Sequence, residues 1–78
     1  LRLKLFEMNM AKLQKTIGAN LYKARKAKRL TQEEVAKAVG VTANYYATLE
    51  RGEAIASIET MYDIFTVLKV KASDVFPD

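Results

Sequence analysis

Basic side chains are concentrated in the first part of this 78-residue chain. Residues 1–30 carry nine Lys and Arg side chains and a single acid, Glu7, which gives a net charge of +8. Residues 31–78 carry four basic and eight acidic side chains, a net charge of −4. A basic half suits binding to a polyanion, although a solvated helix face explains the charges equally well. The basic residues of the first part are Arg2, Lys4, Lys12, Lys15, Lys23, Arg25, Lys26, Lys28 and Arg29.

The side chains most often used in catalysis and metal binding are missing. The sequence has no Cys and no His, which excludes disulfides, thiolate nucleophiles, zinc fingers and an imidazole base. Glu33, Glu34, Glu53 and Glu59 lie at predicted helix starts, where acids favour the helix dipole, and no nucleophile is paired with a base. We therefore expect no enzyme activity, no metal and no cofactor.

No apolar run approaches the roughly 20 residues of a membrane span, and the amino end lacks the features of a signal peptide. These observations favour a cytoplasmic protein made of one small domain.

A short helix is predicted at the start of residues 31–52. Thr31 is a natural N-cap, and Glu34, three residues later, completes a capping box. The helix should end near Val39, because Gly40 can adopt the left-handed conformation that closes a helix.

A second helix should follow almost at once. Thr42 can cap it, the residues from Ala43 to Arg51 form it, and Gly52 supplies its stop. Because the linker is so short, the two helices must cross steeply, and the small side chain of Ala36 fits such a crossing. The second helix then presents an outward face that contains Thr42, Ala43, Asn44, Ala47, Thr48 and Arg51.

Small and apolar residues occupy fixed positions in this segment. With Gln32 as the first position, Ala36 is fifth, Gly40 ninth, Val41 tenth, Tyr46 fifteenth and Leu49 eighteenth. The segment resembles the helix-turn-helix of the lambda-repressor and Cro family, also called XRE-like, and the resemblance extends over roughly residues 17–76. It implies an all-α, five-helix domain with the helix-turn-helix at its second and third helices. It also implies binding to double-stranded DNA, and together with this motif the basic half favours DNA as the polyanion.

By this resemblance, the base-reading positions are Ala43, Asn44, Ala47 and Thr48. The same resemblance places contacts to the DNA backbone, or mixed contacts, at Gln32 and Arg51. Further candidates for such contacts are Thr42, Tyr45, Lys28 and Arg29, the last two because they end the basic first helix. Asn44 can pair bidentately with adenine, and the methyl groups of the other three base-reading residues can pack on thymine, which predicts half-sites that contain A·T pairs. For Tyr45, a phosphate hydrogen bond and simple surface packing are both consistent with the sequence.

The family pattern also pairs an Arg late in the first helix with a Glu at the end of the third. Arg25 and Glu50 stand at these positions, and we interpret them as a structural pair that supports the recognition helix rather than as DNA contacts.

Three departures from the family pattern bear on function. Arg29 and Lys69 stand where the family has Gly, and a positive φ at Arg29 would cost roughly 1 kcal/mol. The loop at residues 53–56 (EAIA) lacks the basic residues and the Pro that meet the DNA backbone in the family. One phosphate contact is therefore not expected here.

The first 11 residues are predicted to be an arm that precedes the domain at residues 12–78. Leu1, Leu3 and Leu5 alternate with basic residues, which fits a strand across a dimer or a flexible arm that reaches DNA; we favour the arm. The first helix of the domain should begin near Lys12 and end near Lys28.

The carboxy-terminal segment often supplies the two-fold contact in this family, and our dimer candidates are Val70, Val75 and Phe76. Alternatively, Phe76 fills the core of its own chain. The resulting hypothesis is a homodimeric transcriptional regulator, most simply a repressor or autoregulator on palindromic operator DNA. The alternative is a protein-interaction module such as an antitoxin, which would use Ile55, Phe76 and the acidic half to bind and neutralise a partner protein.

Overall fold

The computed structural model describes the backbone of residues 2–77 and the side chains of residues 9–77. Its five helices are α1 (Arg2–Ala27), α2 (Gln32–Val39), α3 (Ala43–Glu50), α4 (Ile58–Leu68) and α5 (Ala72–Val75). No strand occurs in this part of the chain. The predicted all-α fold is therefore confirmed, with α2 and α3 as the helix-turn-helix.

The first helix is longer than predicted. α1 runs for 26 residues from Arg2, so residues 2–11 are helical and continue α1 rather than forming a strand or an unstructured segment. Leu1 lies outside the described residues. A helical period outweighs the short alternation at the amino end, because apolar residues recur four, three and four positions apart at Phe6, Met10, Leu13 and Ile17. Neither α1 nor any other described helix is long and apolar enough to cross a membrane.

Hydroxyl groups cap the starts of three helices. The Thr31 Oγ1 accepts a hydrogen bond from the Glu34 N–H at 3.0 Å, and the Glu34 carboxylate accepts one from the Thr31 N–H at 2.8 Å. The predicted capping box of α2 is therefore present. Thr42 caps α3 by accepting from the Tyr45 N–H at 3.0 Å, and Ser57 caps α4 in the same manner. These local bonds set where the helices begin.

The first four helices all end with a residue in the left-handed conformation. The φ values are 58° at Arg29, 80° at Gly40, 73° at Gly52 and 57° at Lys69. The residue that follows each of them donates its N–H back to the last turn of the helix, at 2.9 to 3.3 Å. We call these four the closing residues; they are Leu30, Val41, Glu53 and Val70. This pattern stops a helix sharply by pairing carbonyl groups that the helix itself leaves free.

The core lies where α1, α2, α3 and α4 meet, and α5 covers its end. α1 packs on α3 and α5, while α2 packs on α3 and α4. The largest fully buried side chains are Tyr46, Leu21, Leu49, Ile64, Leu68, Val35 and Val75. Tyr46, the fifteenth position of the motif, has a fully buried ring.

Gly18 allows α1 to approach the end of α3. A Cβ at this position would lie 2.4 Å from the Glu50 carbonyl oxygen and 2.6 Å from that of Leu49. Any side chain here would push the two helices apart, so the orientation of α3 depends on this glycine.

The structure changes the set of dimer candidates. Val75 is only 1% exposed, and its carbonyl accepts a hydrogen bond from the Asn20 amide at 2.8 Å. It therefore belongs to the core and is withdrawn as a dimer contact. Val70 is half-buried against the core. Phe76 packs edge-on against Phe65, with ring centroids 5.8 Å apart, yet remains 38% exposed.

The two basic residues with positive φ give a stability prediction. Arg29→Gly and Lys69→Gly should each raise the free energy of unfolding by about 0.5 to 1 kcal/mol, because relief of left-handed strain exceeds the extra freedom of glycine in the unfolded chain. Gly40→Ala is the control and should lower the free energy of unfolding. No atom lies within 4 Å of the added Cβ, so the loss would come from the left-handed backbone alone. Urea unfolding measures all three. A loss of stability in both glycine variants would contradict the assignment of strain.

Candidate nucleic-acid interface

The predicted base-reading residues share the outer face of α3. Asn44 is exposed, while Ala43, Ala47 and Thr48 are half-buried at its edge. Among the described side chains, Asn44 has no hydrogen-bond partner, so its amide can donate and accept on a ligand. The Thr48 hydroxyl donates to the Tyr45 carbonyl at 2.6 Å, which leaves its methyl group as the surface for a base. The face thus offers one amide among methyl groups.

A buried ion pair fixes α3 against α1. The Arg25 Nε donates to Glu50 Oε2 at 2.7 Å, and the Nη2 donates to Oε1 at 3.1 Å. Arg25 also donates from Nη1 to the Leu30 carbonyl at 2.8 Å. Arg25 is 7% exposed and Glu50 is 9% exposed. The two side chains therefore form the buried pair that the sequence indicated.

Gln32 joins this pair from the start of α2. Its Nε2 donates to Glu50 Oε1 at 3.0 Å, and its side chain is half-buried. The sequence placed Gln32 among DNA contacts, whereas the structure turns its amide nitrogen toward the protein. Gln32 and Arg25 thus connect α1, α2 and α3 through one carboxylate.

Burial and hydrogen bonding oppose each other at Glu50. Burial alone would raise its pKa, but the hydrogen bonds from Arg25 and Gln32 outweigh it and hold the pKa of Glu50 below its ordinary value. The hydrogen bonds to Glu50 likewise raise the pKa of Arg25. Burial raises the pKa of the Tyr46 phenol, and the Glu50 carboxylate raises it further. The Tyr46 hydroxyl is buried and, within the described part of the chain, has no hydrogen-bond partner.

A basic cleft lies beside α3, between the end of α1 and the start of α2. It is open, has a volume of about 530 Å³, and is lined by Arg25, Lys26, Arg29, Leu30, Thr31, Gln32 and Glu33. Arg29 and Lys28 are exposed at this junction. Tyr22 lies under two of the cations, with its ring centre 5.3 Å from the Arg25 guanidinium carbon and 5.9 Å from the Lys26 ammonium. Cations and the free N–H groups of a helix start favour an anion here.

Arg51, at the far end of α3, is held by a neighbouring acid. Its Nε and Nη2 donate to the Glu53 carboxylate at 3.0 and 3.1 Å. Both side chains are about half exposed, at 55% and 51%. The Arg51 guanidinium, which was predicted to contact the DNA backbone, is therefore already paired with a carboxylate in this structure.

Sequence reasoning missed two residues that position α3. Gly18 was hidden inside an otherwise helical pattern, although an isolated glycine in a helix is a signal for close packing. Lys15 was counted only as a charge, whereas its Nζ donates to the Arg51 carbonyl at 3.0 Å and so pairs a free carbonyl at the end of α3. No local signal in the sequence identifies that contact, because the two residues are 36 positions apart.

A family model for the helix-turn-helix, HTH_3, matches residues 21–75. The chain belongs to this helix-turn-helix family. The matched part begins within α1 and ends with α5, so it contains the motif and the Arg25–Glu50 pair. The XRE-like family predicted from the sequence is confirmed.

Two proteins with similar sequences are also described as helix-turn-helix regulators. The chain is 36% identical over 58 residues to y4dJ of Sinorhizobium fredii, an uncharacterized HTH-type transcriptional regulator, covering 74% of this chain and 75% of y4dJ. It is 33% identical over 60 residues to YazB of Bacillus subtilis, which has the same description, covering 77% of this chain and 87% of YazB.

Two solved structures share the fold. The clp gene regulator ClgR of Corynebacterium glutamicum matches with a TM-score of 0.77 and 33% identity, over 81% of each chain. The restriction-modification controller protein C.AhdI of Aeromonas hydrophila matches with a TM-score of 0.75 and 32% identity, over 85% of this chain and 98% of that protein. Membership of a family of transcriptional regulators supports DNA binding and regulation of transcription as the function of this chain.

The buried pair predicts a pH-dependent stability. The pKa of Glu50 is lower in the folded state, so the contribution of Glu50 is fully present above the pKa of an unfolded glutamate, about 4.3, and is lost as the pH falls through the folded-state value. Glu50→Gln should lower the free energy of unfolding by about 3 kcal/mol at pH 7, because Arg25 keeps a buried charge without a counter-ion. The loss should shrink toward pH 3.

Urea unfolding between pH 3 and pH 8 measures this, with the exposed Glu33→Gln as the control, for which we expect a change of about 0.5 kcal/mol. A loss at Glu50→Gln that is equal at all pH values would show that its charge is not what stabilises the fold.

Proposed function

We propose that this chain is a sequence-specific DNA-binding regulator that acts as a homodimer on palindromic operator DNA, most simply as a repressor or autoregulator. The observation that supports it is the outer face of α3, where Asn44 stands exposed between methyl groups while Arg25 and Glu50 hold the helix from behind. Such a regulator would work in the cytoplasm, on the nucleoid, and by binding rather than by catalysis.

The proposed docking places α3 in the major groove. Asn44 would then read adenine through its amide, and the methyl groups of Ala43, Ala47 and Thr48 would pack on thymine. The basic cleft would lie over the adjoining phosphates, with Arg29 and Lys28 as its exposed cations. Thr42 and Tyr45 stand at the start of α3, exposed on the side from which the backbone would approach.

Dimerisation is proposed because one helix reads few base pairs, whereas two related by a two-fold axis read half-sites about one helical turn apart. With Val75 buried, exposed apolar side chains elsewhere become the candidates. Ile58 is 88% exposed, Tyr62 69% and Ile55 42%. Together with Phe76 they line an apolar groove of about 320 Å³ on α4 and its flanking segments. Exposed apolar surface of this kind favours a protein contact.

The same groove supports the second candidate function. A protein-interaction module would use Ile55, Ile58 and Tyr62 to hold a different protein, and Glu59 and Asp63 beside them would select a basic partner. DNA binding would then be weak. The two candidates differ in what they predict for the oligomeric state of the purified chain.

The test of the proposal is selection from a pool of random duplexes by the purified protein, followed by titration of selected and random DNA across a salt series. Enrichment of a palindrome with a steep salt dependence would support it. If nothing is enriched, the base-reading role fails and the protein-interaction module becomes the leading candidate.

Asn44→Ala should cost about 1 to 3 kcal/mol in binding to the selected site and much less on random duplexes, because only the base contact is lost. Asn9→Ala is the matched control, since Asn9 is an exposed Asn on α1 outside the proposed interface. Equal losses on selected and random DNA would rule out base reading by Asn44.

Ile58→Asp should shift the protein from dimer to monomer in sedimentation equilibrium and weaken binding to the full palindrome about tenfold or more, while binding to a half-site is kept. Folding should be unaffected because Ile58 is 88% exposed. Ala11→Asp, at an exposed position of α1, controls for the added charge. If the Ile58→Asp variant is still a dimer, the apolar groove is not the dimer contact and is available to a different partner.

A further inference from the structure

Glu53 differs from the other closing residues. Leu30, Val41 and Val70 are apolar and pack against the core, as is usual for the residue that follows a left-handed helix stop. Glu53 occupies the same position after α3 and is exposed. Packing against the core therefore does not explain why position 53 is a glutamate.

The backbone places Glu53 firmly. Gly52 adopts a φ of 73°, and the Glu53 N–H donates to the Thr48 carbonyl at 2.9 Å. Gly52 is itself buried, and a Cβ there would lie 2.7 Å from the Lys15 Cα. The position of the Glu53 Cα is thus set by α3 and α1, independently of what its side chain does.

From this position the carboxylate binds both donors on one side of the Arg51 guanidinium, at 3.0 and 3.1 Å. The contact is between side chains that are 55% and 51% exposed, and exposed ion pairs contribute little to stability. The pair is open to solvent, so a second anion can reach it. The hydrogen bonds from Arg51 hold the pKa of Glu53 below its ordinary value.

A carboxylate and a phosphate bind the same fork of a guanidinium, and they cannot occupy it together. We propose that Glu53 limits DNA affinity by competing with a DNA phosphate for Arg51. This inference rests on the proposed function, in which the end of α3 lies against the DNA backbone. On the Nε and Nη2 edge, which Glu53 occupies, the phosphate has to displace the carboxylate before it can form a two-bond contact with Arg51.

The competition lowers affinity without changing sequence preference. A phosphate contact is the same on every duplex, so Glu53 weakens selected and random DNA by the same factor. Base contacts through Asn44 then carry a larger share of the total binding. A small regulator with a basic half would in this way spend less time on random DNA.

Glu53→Gln should raise the affinity for both selected and random duplexes about three- to tenfold at low salt, and should steepen the salt dependence by about one phosphate contact. Glu59→Gln is the matched control, because Glu59 is an exposed acid at the start of α4 and makes no ion pair among the described residues. Its effect measures the change in net charge alone.

Arg51→Gln completes the design. In the Arg51→Gln background, Glu53→Gln should raise affinity no more than Glu59→Gln does, because no guanidinium remains to be competed for. Circular dichroism of each variant checks that the fold is kept.

The outcomes separate the two ideas. If the unaltered protein selects no DNA, the proposed function fails. If it does bind DNA but Glu53→Gln equals Glu59→Gln, the competition is overturned while the function stands. A weaker affinity in Glu53→Gln also overturns it, since Glu53 would then orient Arg51 toward the phosphate instead of withholding it.

Discussion

The guanidinium of Arg25 and the carboxylate of Glu50 meet in a space nearly closed to water, where α1, α2 and α3 come together. Two charges in such a place need each other, because either one alone would keep an uncompensated charge in the interior. The Gln32 amide donates to Glu50, and the Leu30 carbonyl accepts from Arg25. The pair thus determines how the two helices of the motif sit on α1, and the outer face of α3 takes its direction from contacts behind it.

The close approach of the α1 backbone to the end of α3 also restricts the orientation of α3. Gly18 lets the carbonyl groups of Leu49 and Glu50 come within 2.6 Å of where its own Cβ would be, and Lys15 binds the carbonyl that follows them. In the proposed docking α3 would present an amide to a base edge, and such rigidity would favour it because a displacement of about 1 Å breaks a bidentate hydrogen bond. The Arg51–Glu53 pair is less enclosed, since both side chains are about half exposed.

Features set by neighbouring residues could be predicted from the sequence, and features set by distant ones could not. The helix boundaries at Thr31, Gly40 and Thr42 could be predicted because a helix cap is a hydrogen bond between residues only a few positions apart. The extension of α1 to Arg2 was missed because a short run with alternating apolar residues overlaps a longer run with helical spacing there. The structure follows the helical spacing. The burial of Val75 and the turn of Gln32 toward Glu50 depend on contacts across 55 and 18 positions. Such contacts appear only once the helices are packed.

Helix α3 has eight residues, too few to persist in water by itself. It is stable because α1 and α2 pack against it, so a partly unfolded chain lacks the surface through which the proposed regulator would bind DNA. The number of active molecules in a cell would then equal the number of folded ones. Since an open chain of this size is a ready target for proteases, a loss of about 1 to 2 kcal/mol anywhere in the core would change the dose of regulator several-fold without touching a DNA contact.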